Sequence, residues 1–334
     1  MKRSLLLLSV ISISIQLNSQ IIKGSILDSS TKNPIPFAVA YFDGTSIATY
    51  ADDKGSFQID ARKIQSMPLV FSALGYFSSK VVDYSPSKEI IVYLTPKTFE
   101  LNEVSVATKG NPRIRRRNLE TFRTGFLGRT RIVDGCKILN EDDIRFTSSS
   151  DRDTLRAYTL NPIIISNKKL GYKITYYLNQ FEYINSLYLN HVVGTSFFEE
   201  DTSANVNIYN YKANRDSAYY GSKMHFIRSL WQDDLKTEGY EIKNQKKDVS
   251  YNDLVRVLLS TDPNKLKKYI FYEQPKPVIL SIKWKNTESG IELLRNNIVI
   301  ERNGFYFGPG IIWHGEMAEQ GVVELLPYDY LQSR

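Results

Sequence analysis

The sequence predicts a mainly β protein in two parts: a small sandwich of seven short strands, then a larger β-rich α+β region with one or two amphipathic helices. Three observations predict it. Strand-length apolar runs recur from Ile21 to Ala107, each closed by turn residues. Aromatic residues are abundant, with 22 Tyr and 16 Phe, and that composition favours pleated, half-buried surfaces. Helical periodicity appears only in short stretches after Pro112.

The N-terminus comes first. Met1-Lys2-Arg3 is positively charged, Ser4 to Leu17 is uncharged and mostly apolar, and Asn18-Ser19-Gln20 is polar. That is the layout of a secretory signal peptide over residues 1–20. A spanning helix, the alternative, needs about 20 apolar residues, more than this run offers. Cleavage is expected after Gln20, and no Cys stands there to carry a lipid. No later segment reads as membrane-spanning, so the exported chain is expected in the periplasm or associated with the outer membrane. The single cysteine, Cys136, excludes an intrachain disulfide, and it reads as a small buried hydrophobe rather than a reactive thiol. The net charge of +7 includes Lys2 and Arg3, so the mature chain is mildly basic, which selects no partner class.

Residues 21–107 then divide into Ile21–Leu27, Pro36–Phe42, Thr45–Tyr50, Ser56–Asp60, Leu69–Ala73, Tyr76–Val82 and Glu89–Leu94. Asp43-Gly44 reads as a two-residue hairpin turn, because Gly supplies positive φ. Asp52-Asp53-Lys54-Gly55 and Gly75 mark further turns, with Gly55 and Gly75 at positions a Cβ would hinder. Phe57, Phe71 and Tyr76 are candidate core aromatics. Asp52 and Asp53 invite a calcium reading, but a calcium ion takes six to eight oxygens. A turn-stabilising Asp hydrogen bond is the expectation.

Four ordered motifs carry a resemblance. They are Gly24-x-Ile26-x-Asp28, Asn33-Pro34-Ile35-Pro36-Phe37-Ala38-Val39, Ala51-Asp52-Asp53-Lys54-Gly55-Ser56-Phe57, and Phe71-Ser72-Ala73-Leu74-Gly75-Tyr76. Residues 21–107 resemble the carboxypeptidase-regulatory-like domain, with Ala51 where Thr is usual. The resemblance implies a seven-stranded, prealbumin-like β-sandwich and structural roles for Gly24, Asp28, Pro34, Asp52, Gly55, Phe57, Gly75 and Tyr76. Leu101-Asn102-Glu103-Val104-Ser105-Val106 resembles the segment after this sandwich in TonB-dependent outer-membrane receptors. The plug and large barrel of those receptors do not fit the residues that follow, so transport is not carried over.

Residues 108–125 read as a basic linker and helix. Ile114, Leu119, Phe122 and Phe126 recur at near-helical spacing, and Pro112 sits where a helix can begin. Arg113, Arg115, Arg116 and Arg117 lie on it. A nucleic-acid patch conflicts with export, so no nucleic-acid partner is expected. Anionic headgroups or envelope polyanions are the alternative to a solvated helix face.

Residues 126–334 read as a second β-rich domain. Its strands are Cys136–Leu139, Ile144–Ser148, Leu155–Leu160, Ile163–Ile165, Tyr172–Leu178, Phe181–Asn185 and Ser186–His191. A later meander runs through Val278–Trp284, Gly290–Leu294, Asn297–Glu301, Gly304–Phe307 and Ile311–His314. Ser222 to Leu235 is the best helix, with Met224, Ile227, Leu230, Trp231 and Leu235 on one face, Ser222 as cap and Gly239 as exit. Asn252 to Leu259 reads as a shorter one. The runs Asn161-Pro162-Ile163-Ile164-Ile165, Tyr220-Gly221-Ser222 with His225-Phe226-x-Arg228, and Leu325-Leu326-Pro327-Tyr328-Asp329-Tyr330 resemble a Gram-negative exported group with no assigned reaction.

The histidines are His191, His225 and His314, and none begins the H-x-x-E pair that a zinc peptidase needs. Nucleophile-elbow, P-loop and dinucleotide glycine patterns are absent from the sequence. His225 with Arg228 is the most suggestive polar pair, either an anion sensor or a satisfied helix-face pair. The expectation is a non-catalytic envelope protein without cofactor or metal, a binding or scaffold module. Its partners are envelope proteins or surface glycans, with peripheral membrane contact. A glycan-binding accessory protein and a hydrolase with a scattered site are the alternatives.

Overall fold

A computed structural model describes residues 20–64, 67–97, 111–130, 132–149, 151, 153–187, 189–201, 208–258, 266–308 and 310–332. The residues before Gln20, where a signal peptide is expected, and the Leu101–Val106 segment lie outside the described residues. The fold is mainly β.

Seven strands form as expected: β1 (Ile21–Asp28), β2 (Val39–Phe42), β3 (Ala48–Tyr50), β4 (Ser56–Asp60), β5 (Leu69–Ser72), β6 (Ser79–Val81) and β7 (Ile90–Leu94). They make two sheets, β4-β1-β7 and β3-β2-β5-β6. Alternation along β1 buries Ile22 and Ile26 and turns Ile21 and Lys23 outward. Across the sandwich, Phe57 and Phe71 meet edge to face at 5.1 Å.

Three strands, β2, β3 and β6, begin later than their apolar runs suggest, β6 at Ser79 because Tyr76 makes only a lone bridge to Pro96. Phe37 sits at φ 58°, in the left-handed region, so β2 starts only at Val39. The expected two-residue hairpin at Asp43-Gly44 is a longer loop, Asp43–Ile47, because Tyr41 pairs with Ala48. That loop bonds elsewhere. The Gly44 amide donates to Ser196 O at 2.7 Å, and Thr45 O accepts from the Phe198 amide at 2.9 Å.

α1 (Pro112–Leu127) follows, capped by the Asn111 side chain on the Arg113 amide and ended at Gly128. It lays Phe122 and Phe126 on a six-stranded sheet made of β8 (Cys136–Ile138), β9 (Arg145–Ser148), β10 (Thr154–Tyr158), β11 (Ile163–Asn167), β12 (Tyr172–Ile184) and β13 (Leu189–Glu200). Where two strands are expected at Tyr172–Leu178 and Phe181–Asn185, β12 runs through. The register against β13 shifts between Leu178 and Gln180. Asn179 and Gln180 are both exposed, so the inward set changes from Tyr172, Ile174, Tyr176 and Leu178 to Phe181 and Tyr183. A bulge restores core contact after the polar pair. Ser186 belongs to the turn, and β13 extends past His191 to Glu200.

Beyond α2 (Ile208–Tyr219) and α3 (Lys223–Gln232) lies a third core. Its five-stranded sheet takes β14 (Tyr240–Asn244), β15 (Lys247–Asp248), β18 (Val278–Trp284), β19 (Thr287–Leu293) and β21 (Ile311–Gly315). Its three-stranded sheet takes β16 (Val255–Leu258), β17 (Lys267–Ile270) and β20 (Ile298–Ile300). The expected helix at Asn252–Leu259 is corrected: only Tyr251–Leu254 is helical, behind a Ser250/Asp253 capping box, and Val255–Leu258 pairs with β17. Gly304–Phe307 makes a single bridge, Ile300 to Tyr306, not a ladder. α3 ends at Asp233, φ 62°, before Leu235 and Gly239.

The sandwich is joined to this body. All residues of β2 and β5 are buried. Ala40, Phe42, Leu69 and Phe71 face the sandwich core, whereas Val39, Tyr41 and Val70 pack with Phe197 beside Tyr177. A sheet buried on both faces is an internal layer. Tyr41 reaches Thr195 hydroxyl to hydroxyl at 2.6 Å. From the C-terminus, the Tyr328 amide donates to Gly44 O at 2.8 Å, and Asp329 accepts from the Ser46 amide at 2.8 Å.

Candidate functional site

The motif residues of the sandwich gather at one end. Asp28 accepts from the Ser30 and Thr31 amides at 2.8 and 2.7 Å and from the Tyr76 hydroxyl at 2.9 Å. These bonds, with the Thr31 amide the largest cause, hold its carboxyl below the usual range. One carboxylate therefore ties the β1–β2 loop to the β5–β6 loop. Pro34 bridges to Leu27, and Gly55 packs beneath it: a Cβ there would lie 2.7 Å from Ile26 O. Gly24 has no room either, with Ile90 O 1.9 Å from its ideal Cβ position, because β1 and β7 run side by side. Gly75 differs from expectation. Its φ is 80°, but nothing lies within 4 Å of its ideal Cβ position, so its constraint is conformational and not steric. Asp52 Oδ1 accepts from the Lys54 and Ser56 amides at 2.9 and 2.8 Å, a turn-holding role. Phe57 is core, whereas Tyr76 is half-buried.

The arginines of α1 separate. Arg115 donates to Ile144 O and Glu141 O, both at 3.0 Å, and so locks the helix to the following loop. Arg116 lies 3.8 Å from Glu120, and Arg113, Arg116 and Arg117 are exposed. Cys136 is half-buried and donates to Ile132 O, and burial pushes its thiol up to about 12, which disfavours the thiolate.

His225 and Arg228 are buried at 1% and 8% exposure. The Gly221 amide donates to His225 Nδ1 at 3.1 Å, which assigns the proton to Nε2, 3.1 Å from Glu238 Oε2. Tyr240 Oη lies 2.8 Å from Nδ1. Burial lowers the imidazole pKa, with Glu238 opposing. Arg228 donates to the carbonyls of Asn303, Tyr328 and Tyr330 at 2.9, 3.1 and 3.0 Å. The pair is spent on fastening α3 to its neighbours.

Concavity lies elsewhere. β3 pairs only with β2 and β4 only with β1 among the described residues, so each keeps a free edge. Between them runs an open cleft in two adjoining lobes of about 470 and 660 Å³, which share Thr49 and Gln58. Lys23, Tyr50 and Glu89 line one lobe, and Ile47, Asp60 and Lys63 the other. Sequence reasoning misses it, because it arises from two sheet edges meeting across a turn. No group of three or more His, Cys, Asp or Glu with metal-holding geometry occurs among the described residues. None of their helices is long and apolar enough to cross a membrane.

No curated protein matches the chain. The four motifs, the two sheets and the tie from Asp28 to Tyr76 agree with a match to one family model over residues 22–106: this segment is a CarboxypepD_reg-like domain.

Proposed function

We propose that the chain is an exported, non-catalytic binding or scaffold protein of the periplasm or outer membrane, whose sandwich receives an extended segment of an envelope protein in the β3/β4 cleft. The cleft is the observation that carries this reading. Free strand edges expose a row of backbone donors and acceptors, and adding a strand satisfies them. The polar lining, with both signs of charge, suits a peptide more than an apolar small molecule. Export is supported by the charge and apolar run before Gln20. The absence of a catalytic role is supported by His225 and Arg228, whose polar atoms hold backbone and side chains of the chain itself.

A photo-crosslinking residue at Gln58 tests the reading. In the native envelope it is expected to yield discrete polypeptide adducts, and one at exposed Lys246 none. Equal labelling from both positions, or none from Gln58, overturns it. A glycan-binding reading has one observation in its favour: Tyr220, 40% exposed, and Trp284 hold their rings within 6° of parallel, centroids 6.5 Å apart. Soluble envelope polysaccharide that quenches Trp284 fluorescence, with the effect lost in Tyr220→Ala, would favour it over the cleft.

A further inference from the structure

The six-stranded sheet has one bare edge. β13 pairs only with β12 among the described strands, and the Gly44-Thr45 loop bonds it at the Ser196 carbonyl and the Phe198 amide alone. Those two groups point away from β12, so by alternation the amides and carbonyls of Asn190, Val192 and Gly194 do too. These backbone groups take no bond from any described residue. Strand edges are normally blunted with charge or proline. The opposite edge of the same sheet is guarded in this way, by Lys137 on β8 and Arg145 on β9. From Tyr183 to Phe198, by contrast, the sequence holds no Asp, Glu, Lys, Arg or Pro.

The side chains along this edge are arranged about a centre. Odd-numbered residues share one face of β13, where Thr195 and Phe197 lie under the sandwich while Leu189, His191 and Val193 run clear of it. Leu189 is 49% exposed and Val193 38%, and Leu187 in the preceding turn is 66% exposed. On the other face, Asn190 donates to the Gly125 carbonyl and Val192 packs against the core under α1. An antiparallel copy of the strand, turned about His191, sets Leu189 opposite Val193 on both sides of the axis. Asn190 of each strand then faces Val192 of the other in a hydrogen-bonded pair. Glu182, beside His191 on β12, is already paired with Arg156 at 2.7 Å.

The chain's own remaining segments are badly placed to cover this edge. Residues 202–207 follow the far end of β13. Six residues span about 22 Å at most, whereas Val192 lies about 26 Å from Glu200 along the strand. Residues 98–110 lead into α1, whose Arg115 bonds the carbonyls of Glu141 and Ile144, and these precede β9 at the opposite edge. We propose that a second copy of this chain covers the edge: two β13 strands pair antiparallel about a two-fold axis at His191 and join two six-stranded sheets into one. A two-fold contact needs a surface that complements itself. An uncharged edge with an apolar residue two places to either side of its centre meets that condition. No like charges come opposite one another, and each Leu189–Val193 pair adds apolar contact. The pairing lies outside the cleft and does not depend on what the cleft receives.

The test is sedimentation equilibrium of the purified chain without residues 1–20. The mean mass is expected to rise from one chain toward two as concentration increases to about 100 µM, the weak end for so small a contact. Leu189→Lys with Val193→Lys sets like charges opposite one another and is expected to weaken association about tenfold or more. Both side chains are exposed, so the thermal midpoint of the single chain should hold. His191→Cys, with Cys136→Ser to leave one thiol, reads the axis itself. Residues opposite one another in a non-hydrogen-bonded pair stand about 4.5 Å apart at Cα, within disulfide reach. Mild oxidation is expected to link this variant into dimers, and to leave Lys246→Cys in the same background unlinked. A wild type that stays single at about 100 µM, association untouched by the two lysines, or equal linking from positions 191 and 246 would each overturn the proposal.

Discussion

At the scale of the residue, two glycines of the same motif set are under different constraints. An ideal Cβ on Gly24 stands 1.9 Å from a backbone oxygen that cannot swing away, whereas one on Gly75 meets open space. Gly24→Ala is therefore expected to cost about 3 kcal/mol or more by forcing β1 from β7. Gly75→Ala should cost only the left-handed conformational penalty, about 1–2 kcal/mol. Urea unfolding of the two variants checks the order, and equal losses would refute it. Glu301 adds a pH term. It is 9% exposed, and burial, partly offset by Lys267, pushes its carboxyl up to about 7 from 4.5. A raised carboxyl binds more protons folded than unfolded between those values, so its contribution to stability falls as pH rises from 4.5 to 7 and is flat outside. Glu301→Gln should then stabilise the protein above pH 7, by at most about 3 kcal/mol, and do nothing below pH 4.5. A gain that is independent of pH would contradict that assignment.

At the scale of the element, legibility follows local signals. β1, β4 and β18 are readable because alternation, turn residues and burial all agree along them. β12 reads as two strands because a bulge at Asn179-Gln180 imitates a turn in its pattern. α2 leaves no such trace, and its weak amphipathicity explains why. For Val255–Leu258, pairing with β17 overrides the expected helix, a decision made by a distant segment. α3 is legible as a helix, but its surroundings are not. From Met224 to Leu230 every residue is buried, since the helix lies between the second and third cores and beneath the C-terminal tail. The cleft between β3 and β4 is unreadable for a related reason: no residue in it has unusual chemistry, and only the juxtaposition of two edges makes it. Arg228→Met tests the fastening role of α3. It leaves the carbonyls of Asn303, Tyr328 and Tyr330 without their charged donor, and is expected to cost about 3 kcal/mol. A loss under about 1 kcal/mol would mean that water or neighbouring donors replace it.

At the scale of the whole molecule, the sandwich is a wall of the body. The sequence suggests a module on a linker, because its motifs end near residue 106 and a basic stretch follows. In three dimensions the inner strands β2 and β5 of its four-stranded sheet are covered on both faces, and the last residues of the chain return to it. The Tyr328 amide donates to Gly44 O, the Asp329 carboxylate accepts from Ser46, and the Tyr328 ring meets Phe305 at 5.3 Å. Asp43, half-buried in this junction, accepts from the Ser196 amide and pairs with Lys80 at 3.2 Å, and desolvation raises its pKa. Junctions of this kind couple the stabilities of the units they join, so unfolding of the wild type should be one cooperative transition in calorimetry. Tyr328→Ala removes a ring that packs on both the sandwich and the second core. The variant is expected to lose about 2–4 kcal/mol and to split the transition, with the sandwich melting apart from the rest. Two transitions in the wild type itself would instead show that the junction is too weak to couple them. The junction also has a functional consequence: whatever engages the cleft of the sandwich is held in a set orientation to the larger β-rich body, not on a tether.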